Sequence, residues 1–422
     1  MNIQNIYKRT TKVVGPGVIT GIADDDPSGI ATYAQTGAIF GLSQLWLSLY
    51  SLPFMIAVQE MCARIGMVTG NGLAGTIKTY YPKWLLYIAV LLLAVANIVN
   101  IGADLGAMGK AVSMISPLSA NIGLILITLF TIISTVFIPY HYYVKFLKYL
   151  AFSIAAYIIT ALLVKQDWGL IFYNVIIPHI QWNKEFLLNI MAFLGTTISP
   201  YLFFWQADEE VEEAIEKKKV TSFGIKPKVR NTDLHQMRMD TYTGMFFSNL
   251  VSFFIIITSF STLSHTSNGQ MITALELAES LRPLAGNFAV YLFAFGILGT
   301  GLLAVPVLAG SLAYAVAETF HFDAGLSKTF RQAVSFYAVI TVATLIGVIL
   351  NFVNLDPMLM LYYSAAMNGL LAAPLLVIIL FVANNRKILG DRVNGRWSNS
   401  LVIIITAIMA IISLFTIVSF IR

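Results

Sequence analysis

The sequence predicts an all-α polytopic membrane protein, and three observations carry that prediction. Hydrophobic residues make up 58% of the chain and charged residues only 11%, with a mean hydropathy of +0.78. A soluble domain carries roughly a quarter charged residues. Apolar runs of about 20 residues, long enough to cross a ~30 Å hydrocarbon layer as a helix, recur along the chain, for example at 84–99, 118–138, 246–260, 334–350 and 401–421. The alternating pattern of a membrane barrel is absent. Backbone groups in lipid must be paired within their own segment, so these runs are expected to be helices.

The pattern gives about 11 spans, at 13–40, 45–66, 84–112, 119–138, 146–164, 186–207, 241–262, 288–318, 332–352, 358–383 and 400–421. With loops on alternating sides, roughly 21 of the 26 Lys and Arg fall on one side. That asymmetry puts the N-terminus in the cytoplasm of a cell (plasma or inner) membrane. It also accounts for the net charge of +5 without nucleic acid, so the lipid bilayer is the expected large partner and a monomer the simplest assembly. The first apolar stretch has no small-x-small cleavage site and reads as a span that stays. The longest polar connection, 207–239, opens with Asp208-Glu209-Glu210-Val211-Glu212-Glu213. It reads as a helix end and solvated loop, with Glu213 and Lys217 paired at i,i+4.

Two spans look broken. The first contains Asp24-Asp25-Asp26-Pro27-Ser28-Gly29, and the sixth contains Thr196-Thr197-Ile198-Ser199-Pro200-Tyr201. Proline removes a backbone donor and clashes with the preceding turn. Interrupted helices at matching places in two halves point to an inverted repeat with a binding site at the membrane midplane. The halves would be 1–165 and 166–385, with 386–422 as an appended span.

Three aspartates inside an apolar span would cost about 8–10 kcal/mol unless they face water, a cation or each other's protons. On an intact helix they would spread around its circumference. Unwinding lets carboxylates and freed carbonyls converge on one point. In span 3, Asn97, Asn100 and Asp104 share one helix face, either as a polar stripe along a pathway or as interhelical hydrogen-bonding groups. Glu60 and Glu318 fit water-exposed helix ends or partners for cytoplasmic arginines. All five histidines fall in loops or at span ends, no nucleotide-binding glycine loop is present, and Cys62 stands alone. Catalysis, ATP hydrolysis and a resident cofactor are therefore not expected.

At these residues the chain resembles the NRAMP family of divalent metal transporters. Gly15-Pro16-Gly17, Asp26-Pro27-Ser28-Gly29, Ala31-Thr32 and Gln35-Thr36-Gly37 fall in register with the family's first span. Arg64-Ile65-Gly66-Met67-Val68-Thr69-Gly70 matches the loop after its second, and 292–318 is similar to its eighth. The resemblance implies a LeuT-like 5+5 inverted-repeat fold with helices 1 and 6 broken at the midplane. It implies Asp26 as the metal-binding aspartate and Thr196 as the residue whose backbone carbonyl faces the ion. The chain departs from the family at Gly29, which replaces the binding Asn. Ser199 replaces the sixth-span Met, Tyr201 and Gln206 stand at or beside the family's two histidines, and Ile101 replaces an aspartate. Oxygen donors suit harder divalents than thioether sulfur does.

The sequence therefore reads as a gradient-driven, alternating-access transporter for a hard divalent cation of the Mn²⁺/Mg²⁺ kind, with Fe²⁺ within range. Asp26, Asp25, Asp24, Gly29, Thr196 and Ser199 form the metal site. Asp104, Asn100, Gln206, Tyr201 and Arg331 line the pathway or flank it. Asp24 and Asp25 are either further ligands or proton acceptors, and coupling to H⁺ stays open. The alternative is a symporter or uniporter for an organic cation or amino acid on the same fold.

Overall fold

The computed structural model describes residues 15–138, 154–264, 271–353 and 355–421. Its main helices in chain order are α1 (Pro16–Asp24), α2 (Pro27–Phe40), α3 (Trp46–Thr69), α4 (Leu73–Tyr80) and α5 (Lys83–Ile115). There follow α6 (Ala120–Phe137), α7 (Ala155–Leu163), α8 (Trp168–Ile176), α9 (Lys184–Thr197) and α10 (Pro200–Glu216). The chain ends with α11 (Asn231–Leu263), α12 (Ala289–Phe320), α13 (Val334–Ile349), α14 (Pro357–Ala383) and α15 (Arg396–Ile421). Among the described residues, nine helical stretches are long and apolar enough to cross a membrane, with α9 and α10 taken together as one. The divided first span falls outside that set: α1 and α2 joined are long enough, but they carry Asp24, Asp25 and Asp26. Of the expected fifth span only α7 is seen. The rest lies outside the described residues, as do Lys8, Arg9, Lys12, Lys145 and Lys148.

The two breaks are built alike. Helix α1 ends at Asp24, Asp25 leaves helical geometry at φ −84° and ψ 50°, and α2 restarts with Pro27 behind the extended Asp26. Helix α9 ends at Thr197, Ile198 sits at φ −127° and ψ 62°, and α10 restarts with Pro200 behind the extended Ser199. A proline has no N–H to offer the preceding turn and suits the first turn of the next helix, so one residue ends a helix and opens another. The breaks occupy equivalent places in two five-span halves, giving the LeuT-like inverted-repeat fold expected.

Packing brings the breaks together. Helix α11 lies along both α1 and α2, α9 packs on α14, and α5 contacts α12, α13 and α14. Small residues permit the closest approaches. A Cβ on Gly195 of α9 would run into the backbone of Ala365 and Gly369 of α14. Such contacts matter in lipid, where apolar burial alone does not draw helices together. Tyr33, Phe193, Tyr201 and Trp205 are fully buried around the breaks, while Leu126, Phe130, Ile133, Ile411 and Leu414 face outward.

One expectation is corrected. The acidic run is not a solvated loop: α10 continues through it to Glu216, and Asp208, Glu209, Glu210 and Glu212 are buried. Nothing before Lys217 breaks the helix, and α3, α4 and α12 pack around it. The Glu213–Lys217 pair is formed at 2.6 Å. Replacing Gly195 with Leu should wedge α9 from α14 and destabilise the protein by about 1–3 kcal/mol. In thermal unfolding its midpoint should fall clearly, whereas Gly395→Ala, with open space around it, should melt like the parent.

Candidate functional site

Asp26 is the N-cap of α2. Its Oδ1 accepts the Gly29 N–H and the Ser28 hydroxyl, both at 2.7 Å, satisfying a donor that the break leaves free. Its Oδ2 accepts one proton of the Asn100 amide at 2.8 Å. The other Asn100 proton reaches Asp104 Oδ2 at 3.1 Å, and Asn100 Oδ1 accepts from Asn368 of α14 at 2.9 Å. Asn100 thus commits both donors and its acceptor, tying α2, α5 and α14 together in a buried chain. Asp104 Oδ1 is left without a hydrogen-bond partner.

The three aspartates divide rather than converge. Asp24 and Asp25 turn toward α11, where the Ser248 hydroxyl bonds Asp24 Oδ2 and lies 3.4 Å from Asp25 Oδ1. What converges instead is a set of oxygens over Gly29. A Cβ there would meet Thr196 Oγ1 at 3.1 Å, the Asp24 carbonyl oxygen at 3.2 Å and Asp26 Oδ1 at 3.4 Å. The absent side chain of Gly29 therefore leaves a cradle between the two breaks, lined by both.

The second break closes the arrangement. The Ser199 hydroxyl lies 2.6 Å from the Gly195 carbonyl and 2.7 Å from the Thr196 carbonyl. The Thr196 group facing the cradle is thus its hydroxyl, while the carbonyl expected there meets Ser199. Tyr201 donates its hydroxyl to the Ala23 carbonyl at 2.9 Å, crossing from α10 to the last turn of α1. Gln206 lies further along α10, bonding Glu210 at 3.1 Å.

Two residues read as neighbours of the pathway fall elsewhere. Arg331 is exposed on the turn before α13 and joins none of these contacts. Asn97 bonds the Leu308 carbonyl and Ser311 hydroxyl, both at 2.8 Å, stitching α5 to α12. Glu60 pairs with Arg64 and, at 2.8 Å, with Arg238. Asn368 was not singled out from the sequence; its signal was an amide within an otherwise apolar run.

Chemically the site is rich in oxygen and poor in positive charge. Among the described residues no ion pair reaches Asp24, Asp25, Asp26 or Asp104, and all four are buried. Buried carboxylates in a membrane call for a cation or protons. No group of three or more His, Cys, Asp or Glu side chains gathers as a metal cage among the described residues. A cation here would be held by mixed carboxylate, hydroxyl and carbonyl oxygens.

Comparison with known proteins agrees with this architecture. Residues 17–419 match the family described as natural resistance-associated macrophage protein-like, Nramp. A divalent metal cation transporter MntH from Pectobacterium carotovorum is 24% identical, over 91% of this chain and 89% of that protein. One from Caldanaerobacter subterraneus is 23% identical, over 92% and 89%. The manganese transporter of Eremococcus coleocola, solved with an aromatic bis-isothiourea compound, superposes with a TM-score of 0.75 at 18% identity, covering 96% of this chain and 86% of that one. Mhp1, a nucleobase-cation-symport-1 family transporter, superposes at 0.62 with 11% identity, covering 96% and 92%.

The buried chain predicts an order of mutational costs. Asn100→Leu strips partners from Asp26, Asp104 and Asn368 and should lower stability by about 2–4 kcal/mol, Asn368→Ala by about 1–2 kcal/mol. Arg331→Ala should stay within ~0.5 kcal/mol of the parent. Thermal unfolding of the three purified variants checks the ranking.

Proposed function

Because the chain belongs to the Nramp family of integral membrane transporters, we propose that it carries a divalent metal cation by alternating access and binds it between the two broken helices. The observation behind this reading is the cradle over Gly29, where oxygens from both breaks meet in a fully buried place without positive charge. Asp26 is the principal ligand, held in place by Asn100, Ser28 and the Gly29 N–H. The Thr196 hydroxyl, the Asp24 carbonyl and the lone pairs of Ser199 supply further oxygens. Asp104 and Asn100 line the approach. The relatives named as divalent metal cation and manganese transporters support the same substrate class.

The donor set favours hard ions. The atoms that meet at the cradle among the described residues are oxygens, and oxygen ligands suit Mg²⁺ and Mn²⁺ better than soft metals. Asp24 and Asp25 face Ser248 instead of the cradle, which supports reading them as proton acceptors that balance charge. The repeats in this reading are 1–165 and 166–385, with 386–422 appended, in a cell membrane with the N-terminus cytoplasmic. Opening toward the cytoplasm would move α1 from α11, breaking the bonds by which Asp240 holds the N–H groups of Gly15 at 3.0 Å and Gly17 at 2.6 Å.

Isothermal titration of the purified protein and its Asp26→Ala variant with Mg²⁺, Mn²⁺ and Cd²⁺ tests the reading. Saturable heats with Mg²⁺ and Mn²⁺ that vanish in the variant are expected. Tight Cd²⁺ binding with no response to millimolar Mg²⁺ would overturn the hard-ion preference. No heat with any of the three ions would favour an organic cation on the same fold.

A further inference from the structure

We propose a second divalent-cation site, formed by Asp208 and Glu318 on the side read as cytoplasmic, through which the transported ion passes after leaving the broken helices. It goes beyond the membrane-centre site and rests on that reading for the ion and for the route by which it arrives. Asp208 lies eight residues into α10 from Pro200, about 12 Å along the helix that carries the second break. The two sites therefore sit along one element.

Several independent observations meet here. Asp208 is fully buried, and neither of its carboxylate oxygens has a hydrogen-bond partner. Its Oδ1 is aimed at the space over Gly72, where Glu318 Oε2 also arrives: a Cβ on Gly72 would meet both, the latter at 2.8 Å. Glu318 is held there because its Oε1 accepts the Gly72 N–H at 2.6 Å and its Oε2 the Gly75 N–H at 2.7 Å. Each carboxylate oxygen can accept more than one contact, so both carboxylates keep free lone pairs. No ion pair among the described residues reaches either group. Lys78, on the same short helix α4, gives its ammonium to the backbone carbonyls of Glu318 and Thr319 at 3.0 and 2.7 Å.

A cavity of about 520 Å³ opens in front of Glu318, lined also by Gly75, Asn71 and Glu212 and by Lys78, Lys226 and Lys328, with Asp208 buried behind it. It brings water to the Glu318 side of the pair. A hard divalent ion is commonly bound by one or two carboxylates while keeping several waters. The helix dipole of α4 is already answered by Glu318 as its capping anion, so the charge of Asp208 stands uncompensated. Glu209, Glu210 and Glu212, buried on the same helix, add negative field around Asp208. The site is thus an acceptor for an ion released from the cradle and a donor to the cytoplasmic cavity.

The test counts bound Mn²⁺ on the full-length protein, purified in detergent, stripped with chelator and titrated under electron paramagnetic resonance. The parent should hold about two Mn²⁺ per chain, each as a hexacoordinate ion with oxygen ligands. Asp208→Asn, nearly isosteric, should lose about one of them. So should Gly72→Ala, which puts a methyl at the meeting point, at a backbone φ of −67° that alanine adopts freely. Asp26→Ala should lose the other, and Asp26→Ala with Asp208→Asn should lose both. Loss of about one ion in either inner variant that elutes as folded protein upholds the site. An unchanged count in both Asp208→Asn and Gly72→Ala overturns it. If Asp26→Ala keeps the parent's count while Asp208→Asn loses an ion, the inner site stands and the membrane-centre reading falls.

Discussion

Inside a bilayer a helix can be interrupted only where something takes up the backbone groups that the interruption frees. This protein interrupts two, and the partners that satisfy the breaks are the residues that shape its site. Asp26 accepts the N–H that α2 exposes at Gly29. Ser199 covers the carbonyls of Gly195 and Thr196. Tyr201 reaches across to the Ala23 carbonyl. The first repair also places Asp26 Oδ1 at the cradle over Gly29, so there the stability of the break and the chemistry of the site come from the same contacts.

The second constraint is charge. Asp24, Asp25, Asp26 and Asp104 lie buried without a basic partner among the described residues, an arrangement that is costly in lipid until a cation or protons arrive. The protein prepares for that arrival with neutral groups: the amide of Asn100, itself held by Asn368, and the hydroxyls of Ser28 and Ser248. These orient the carboxylates without neutralising them, which leaves attraction for a cation intact. The same economy recurs at Asp208 and Glu318, where backbone N–H groups hold one carboxylate and leave the other unpaired.

Much of this was legible in the chain. Pro27 and Pro200 stand beside polar runs, Asp24-Asp25-Asp26 and Thr196-Thr197-Ile198-Ser199, and that pairing marked both breaks, whereas Pro53, Pro306 and Pro374 in apolar runs stay inside helices. The apolar runs gave the helices because lipid leaves few alternatives. The direction taken by Asp24 and Asp25 was not legible, since it depends on how Asp25 leaves the helix and on where α11 lies. Asn368 carried no visible partner until α5 and α14 were known to touch. The burial of Asp208 through Glu212 depends on α3, α4 and α12 closing around α10, and a charged run alone reads as a solvated end. Arg331 could be placed near a helix start from sequence, but only packing showed that it stays outside the polar chain.

The most direct test of the account is anomalous diffraction from crystals of the protein grown with Mn²⁺. The account predicts a peak in the cradle over Gly29, about 2 Å from Asp26 Oδ1, with the Thr196 hydroxyl and the Asp24 carbonyl turned toward it. No peak at Asp26, in protein that binds Mn²⁺ in solution, would contradict the claim that the broken helices form the metal site.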